Sequence, residues 1–211
     1  GDWSSDVCSS DLLSPLLSNL YLNGLDHQMA KAGWQMTRYA DDFIIQCRSR
    51  EDAEKALAEV REWVGRAGLT LHPTKTRIVD ASQRGGFDFL GYHFERGKHW
   101  PRAKSKTKLK EALREKTPSG RSGPLSEIIA DVNKTLRGWG QYFRHFSYSH
   151  EDINGWVRQR LRAILRRRSN WTGRPTTGDQ KRWPNAFFAS AGLEILLTDM
   201  QLKLPIQDMA F

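Results

Sequence analysis

Asp41 and Asp42 are adjacent carboxylates set between two short runs, residues 34–39 and 43–46, rich in the aromatic and β-branched types that strands favour. A hairpin turn at this point would push both acids out of a sheet together. Two anions that close repel unless a cation sits between them. The pair therefore suits divalent magnesium, a hard ion that takes carboxylate oxygens. Paired magnesium ions serve in-line phosphoryl transfer, activating the attacking oxygen and holding the leaving one. Asp-Asp is also ordinary turn chemistry, and the pair alone leaves both readings open.

The elements that must position this pair follow in the sequence. Ser49 can cap a helix from Arg50, with Asp52 three residues on. Ala53, Ala56, Leu57, Val60, Trp63 and Val64 recur at helical spacing, and Gly68 can end the helix in the left-handed conformation. Residues 69–71 and 76–79 read as short extended pieces around His72-Pro73. Residues 87–94 alternate as one half-buried strand after the turn Gly85-Gly86. Strand, acidic turn, strand, helix and further strands predict an α+β layer.

With these residues in place, the chain resembles the reverse transcriptase palm, specifically that of group II intron-encoded proteins. The matching blocks are Tyr39-Ala40-Asp41-Asp42, Gly-Leu-Thr-Leu-His-Pro-Thr-Lys-Thr at 68–76, and Phe89-Leu90-Gly91-Tyr92. Residues 13–22 resemble the segment that follows the family's Pro-Gln-Gly. The resemblance implies that Asp41 and Asp42 hold Mg2+ in a polymerase site, and that Phe89, Leu90, Gly91 and Tyr92 form the primer grip. It makes Lys75 a candidate to protonate or neutralise the leaving pyrophosphate. A solvated loop lysine is the equal alternative.

Charge divides the chain unevenly. Residues 100–183 hold 20 lysines and arginines against 7 acids, and the remainder holds 13 against 17, within a net charge of +9. Phosphate backbone is the natural partner of the basic part. Leu125, Ile128, Ile129, Val132, Leu136, Trp139, Phe143 and Phe146 trace one helical stripe, with Gly138 and Gly140 as weak points that can permit close packing. Ser149 is placed to cap a further helix whose apolar face is Ile153, Trp156, Val157, Leu161, Ile164 and Leu165. Arg158, Arg162 and Arg166 line another face at four-residue steps, joined by Arg167 and Arg168. Residues 104–116 predict a third, basic helix. Packed with the arginines outward, the helices would present a nucleic-acid surface. Gly-Trp-Gly-Gln-Tyr-Phe at 138–143 resembles the maturase domain (domain X), which serves as thumb and binder of intron RNA. That makes Arg158, Arg162, Arg166, Arg167 and Arg168 the expected RNA contacts, since A-form RNA is read largely through backbone and shape. Trp139 and Phe143 are expected in the core.

The expected architecture is therefore α+β: a partial palm at 13–98, an antiparallel sheet with helices, then an all-α basic thumb or maturase domain at 100–170. A tail follows at 171–211. Residues 2–12 read codon by codon as one frame of a short-read sequencing adapter, so 1–12 are set aside from the fold. In the family, the fingers and the first palm carboxylate precede the segment at Leu13. The expectation is a truncated polymerase, inactive alone for want of its facing Asp. Residues 194–211 depart from the family's continuation and are of uncertain origin.

The resemblance implies an RNA-directed DNA polymerase acting on RNA template, DNA primer and dNTPs, with maturase activity on group II intron RNA. A maturase that binds RNA without polymerising is the alternative. A retron or CRISPR-associated reverse transcriptase is a further one, against which the 138–143 motif argues. No apolar run is long enough to cross a membrane. Cys47 stands without an internal partner beyond Cys8 of the set-aside segment, which fits the cytoplasm.

Overall fold

The computed structural model describes residues 9–145, 150–171 and 177–196, with side chains from residue 15. Helices and two small antiparallel sheets make an α+β chain that divides into two compact units, one ending at Phe89 and one starting at Leu90.

In the first unit, helix α1 (Ser9–Lys31) is followed by strands β1 (Gln35–Tyr39) and β2 (Asp42–Gln46), helix α2 (Arg50–Arg66) and strand β3 (Phe87–Phe89). The β1–β2 register pairs Met36 with Ile45, Arg38 with Phe43 and Tyr39 with Asp42. Alternation along β1 turns Met36 and Arg38 inward and leaves Gln35, Thr37 and Tyr39 exposed. Leu25 and Met29 of α1 meet Ala56, Val60 and Val64 of α2 in the core, with Met36, Phe43 and Ile45 packed against them.

Helix α2 forms as its sequence predicts. The Ser49 side chain accepts from the Asp52 backbone N–H at 3.1 Å, a cap contributing about 1 kcal/mol. At the other end Gly68 (φ 69°) donates to the Gly65 carbonyl and Leu69 donates to that of Val64. This is a Schellman closure, which requires the left-handed residue that glycine supplies without strain. Two expectations fail here. Residues 69–71 and 76–79 form no strand. Leu90 (φ 46°) and Gly91 (φ 84°) break the expected strand 87–94 with a two-residue turn, between β3 and strand β4 (Tyr92–Glu95). Positive φ at both central positions is the hairpin signature, and it interrupts an alternating pattern that by itself reads as continuous.

In the second unit, β4 pairs antiparallel with β5 (Lys98–Pro101). Helices α3 (Ala103–Lys116), α4 (Leu125–Tyr142), α5 (Glu151–Arg168), α6 (Thr177–Arg182) and α7 (Asn185–Ser190) follow. Leu109, Leu113, Ile128, Val132, Leu136, Ile153, Val157, Leu161 and Ile164 form the shared core. Phe143 is buried and Trp139 packs against that core. Phe146 and Ser149 lie outside the described residues; α5 has His150 at its N-cap.

The stretch expected as a tail contributes Trp183, Phe188, Leu193 and Leu196 to this core. Two helix asparagines hold its end by imitating a strand partner. Asn133 donates to the Gly192 carbonyl (2.7 Å) and accepts from the Glu194 N–H (3.0 Å). Asn154 does the same with the carbonyl and N–H of Leu196, at 3.0 and 2.9 Å. Each buried amide is thus satisfied by backbone that would otherwise need a partner. Residues 194–196 are an integral part of the helical unit.

Candidate functional site

The acidic turn is a two-residue hairpin connection. Tyr39 pairs with Asp42, which leaves Ala40 and Asp41 at the turn. Asp42 is the first residue of β2, on the outer face that it shares with Tyr39. Asp41 and Asp42 are both exposed, side by side at the tip of the sheet. Ala40 has φ 54°, a left-handed conformation uncommon without glycine.

What holds that conformation is a residue that periodicity alone does not single out. Arg38 points inward from β1, and its side chain is 9% exposed. Its Nε donates to Asp26 Oδ1 at 2.8 Å, and a second nitrogen donates to Asp26 Oδ2. Its remaining nitrogen donates to the Ala40 carbonyl (2.7 Å) and to Asn19 Oδ1 (2.9 Å). One guanidinium therefore ties the acidic turn to α1 through a planar fork that lysine cannot reproduce. The bond to Asp26 raises the Arg38 pKa above its ordinary value, against the cost of burial. A legible sign was an arginine on the apolar face of an alternating strand, since such a charge demands a carboxylate.

Magnesium usually takes one or two carboxylates and completes its shell with water and substrate phosphate. Asp41 and Asp42 fit that donor set. Among the described residues no cluster of three or more His, Cys, Asp or Glu side chains could hold a metal. Lys75 is exposed in the loop after α2.

Leu90, Gly91 and Tyr92 belong to the second unit and are tied down tightly. The Gly91 carbonyl accepts from the Arg102 N–H (3.0 Å) and from Ser105 Oγ (2.9 Å). Tyr142 Oη donates to the Leu90 carbonyl (2.7 Å), and Tyr92 Oη donates to that of Tyr142 (2.6 Å). The two tyrosine rings stack at 6.0 Å. A side chain at Gly91 would press on Phe143 Cζ and Ser105 Oγ at 3.3 Å, and the φ of 84° favours glycine there. Phe89, on the other side of the turn, is half-buried at the end of β3.

The five α5 arginines expected to contact RNA do not share one face. Arg158, Arg162 and Arg166 are buried, at 7%, 8% and 9% exposure, which corrects the outward arrangement expected of them. Arg158 pairs with Glu151. Arg162 donates to the Trp183 carbonyl and to Asn185 Oδ1, both at 2.9 Å, and lies over the Phe188 ring. Arg166 pairs with Asp179 at 3.4 Å. The Arg162 and Arg166 contacts attach α6 and α7 to α5. The physical reason is that four-residue steps specify a helix face, while its burial depends on elements that return from far along the chain. Burial, then repulsion from Arg158, lowers the Arg162 pKa, with Asp179 opposing.

Arg167 and Arg168 are exposed. Arg168 donates to the Arg121 and Gly123 carbonyls at 3.0 and 2.6 Å. A surface that the helical spacing did not announce surrounds Trp156. Lys110 and Arg114 from α3 and Arg160 from α5 all lie over its ring, at 5.8, 5.5 and 5.7 Å. Among the described residues, no helix is long and apolar enough to cross a membrane.

Comparison with protein families places these two surfaces in context. No curated protein matches the chain. The reverse transcriptase (RNA-dependent DNA polymerase) family model matches residues 11–94, which include the acidic turn and the hairpin at Leu90-Gly91. The group II intron, maturase-specific domain model matches residues 106–183, which include α4, α5 and the cations around Trp156. Carrying both domains in this order, the chain belongs to the group II intron reverse transcriptase and maturase family.

Proposed function

We propose that the parent protein works as an RNA-directed DNA polymerase coupled to a maturase, and that this chain by itself is inactive in synthesis. Residues 13–98 act as palm and residues 100–170 as thumb and RNA binder, extended by the docked segment to residue 196. Its substrates are an RNA template, a DNA primer and dNTPs, its RNA partner is a group II intron, and its setting is the cytoplasm. The observation that carries this reading is the exposed Asp41-Asp42 pair at a braced hairpin tip, within the reverse transcriptase match that precedes the maturase match.

Asp41 and Asp42 are the magnesium ligands in this reading. Magnesium bound there supplies charge neutralisation at a reacting phosphate. The Arg38 clamp keeps the two carboxylates from rotating away as the turn is loaded. Lys75 faces the leaving pyrophosphate. Phe89, Leu90, Gly91 and Tyr92 hold the primer strand, and the bonds from Tyr142, Ser105 and Arg102 keep their turn from yielding.

The test has two parts. Manganese added to the labelled protein should broaden the backbone amide signals of residues 40–43, and Asp41→Asn with Asp42→Asn should abolish the effect. In the parent protein, extension of a DNA primer on an RNA template should then depend on the same two residues. Extension that survives the double substitution refutes the reading. A binding-only maturase is the second reading, supported by the maturase-specific match over the basic helical unit. Salt-sensitive RNA binding by a parent protein that extends no primer supports it.

A further inference from the structure

Trp156, Arg160 and Arg167 fall on one side of α5. Steps of four and eleven residues rotate by about 40° and 20°, and the span from first to last is ~16 Å. Lys110 and Arg114, one turn apart on α3, flank the same side through the Trp156 ring. Glu111 and Glu115 lie about a quarter-turn around α3 from them. Arg160 is fixed by donating to the carbonyl and the Oγ1 of Thr117. Burial lowers the pKa of Arg160, and repulsion from Arg114 lowers it further. Among the described residues no carboxylate forms an ion pair with these cations, and their mutual repulsion is one that an anion would relieve.

The track ends at a cleft between the 119–123 loop and the end of α5. Arg167 lies over Gly120, its Nε 3.8 Å from where a Cβ would stand. The hydroxyls and backbone N–H groups of Ser119 and Ser122 face no protein partner among the described residues. Oriented N–H groups and hydroxyls beside a guanidinium form a concavity suited to a phosphate. Glu127 stands beside Gly123, which confines an anion to the Ser119 and Ser122 side. The Trp156 face is covered by cations, so it offers no platform for base stacking.

We propose that Lys110, Arg114, Arg160 and Arg167, with the 119–123 loop, form a rigid track that binds the phosphodiester backbone of an A-form RNA duplex independently of sequence. The inference rests on the RNA-binding reading of this unit and assigns it a location. Shape selects the ligand, because the cations stand on two fixed helices and none reaches a base edge.

The test measures binding of the full chain to a synthetic RNA hairpin of arbitrary sequence across a salt series. Arg114→Ala with Arg167→Ala removes two exposed cations of the track. Lys134→Ala with Lys181→Ala removes two exposed cations elsewhere in the same unit and gives the same net charge. The slope of log affinity against log salt should fall in magnitude by about 2 in the track variant, near 0.9 for each phosphate no longer neutralised. The control variant should leave it unchanged, and helical circular dichroism should stay constant in both. An equal fall in both variants, or a fall in neither, overturns the track while leaving RNA binding intact. Equal affinity for a DNA duplex of the same sequence overturns the A-form preference. A wild-type chain that binds no RNA at low salt overturns the RNA-binding reading itself.

Discussion

His150→Phe tests how burial governs the acid stability of the helical unit. His150 stands at the N-cap of α5, 1% exposed, with its ring edge-on to Trp139 at 5.1 Å. Burial, with Lys106 adding to it, lowers its pKa from 6.5 to about 4, while Asp152 and the Phe143 backbone oppose. A cation at a helix N-terminus is also disfavoured by the helix dipole. In the unfolded chain the imidazole takes its proton near the ordinary value, and in the fold only near pH 4. Stability is therefore complete above the ordinary value and is lost as pH falls through the folded one. At about 1.4 kcal/mol per unit, this window holds about 3 kcal/mol, a large share of the ~5–15 kcal/mol of a typical domain. Urea unfolding followed by circular dichroism, from about pH 7.5 to about pH 4, should show the loss in the wild type. Phenylalanine keeps the ring and cannot titrate, at the cost of the imidazole's interaction with the Phe143 backbone, a loss that does not vary with pH in the variant. The variant's curve should consequently be flatter by about 3 kcal/mol over the same interval. Parallel pH curves for the two proteins, or an NMR titration placing the His150 imidazole near its ordinary value, would refute the reasoning.

Asp26→Asn should loosen the acidic turn, because it leaves the inward guanidinium of Arg38 without its anion. The expected loss is about 2 kcal/mol, a charge-assisted bond at a partly exposed carboxylate. Amide hydrogen exchange across β1 and β2 reads it directly, and unchanged protection contradicts the clamp. Gly138→Ala should stabilise α4 by roughly 0.5–1 kcal/mol, since nothing lies within 4 Å of the new Cβ. Gly140→Ala should gain less, because its Cβ would meet Leu196 Cδ2 at 2.9 Å and force that side chain to move. A urea midpoint that rises equally for both substitutions would argue against this packing.

Local features of the fold were legible in the sequence. Ser49 and Asp52 announced the start of α2, Gly68 its end, and alternation around Asp41 and Asp42 announced the hairpin. Each of these depends on residues within a turn or two of one another. The strand broken at Leu90 was less legible, because apolar alternation continues through the turn and only Gly91 marks it. Arg38 could be recognised as an oddity on an apolar face, but its partner lies on α1. Arg162 and Arg166 misled for the same reason. Their partnerships with Asp179, Trp183 and Asn185 depend on the chain's return across α5, which no local periodicity encodes. Asn133 and Asn154 were silent, since a buried asparagine looks like a surface one until the segment it holds is in place.

The hairpin turn at Leu90-Gly91 also has a bearing on mutational history. Its backbone carbonyls are spoken for by Tyr142, Ser105 and Arg102, and a methyl group at its glycine would press on Phe143 and Ser105 at 3.3 Å. Single substitutions at Gly91 therefore meet both a conformational and a steric barrier. Relief at Phe143 and Ser105 together removes the second barrier and leaves the first. Variation in this region should accordingly arrive as paired changes at Tyr92 and Tyr142, whose rings and hydroxyls depend on each other, while glycine is favoured at position 91.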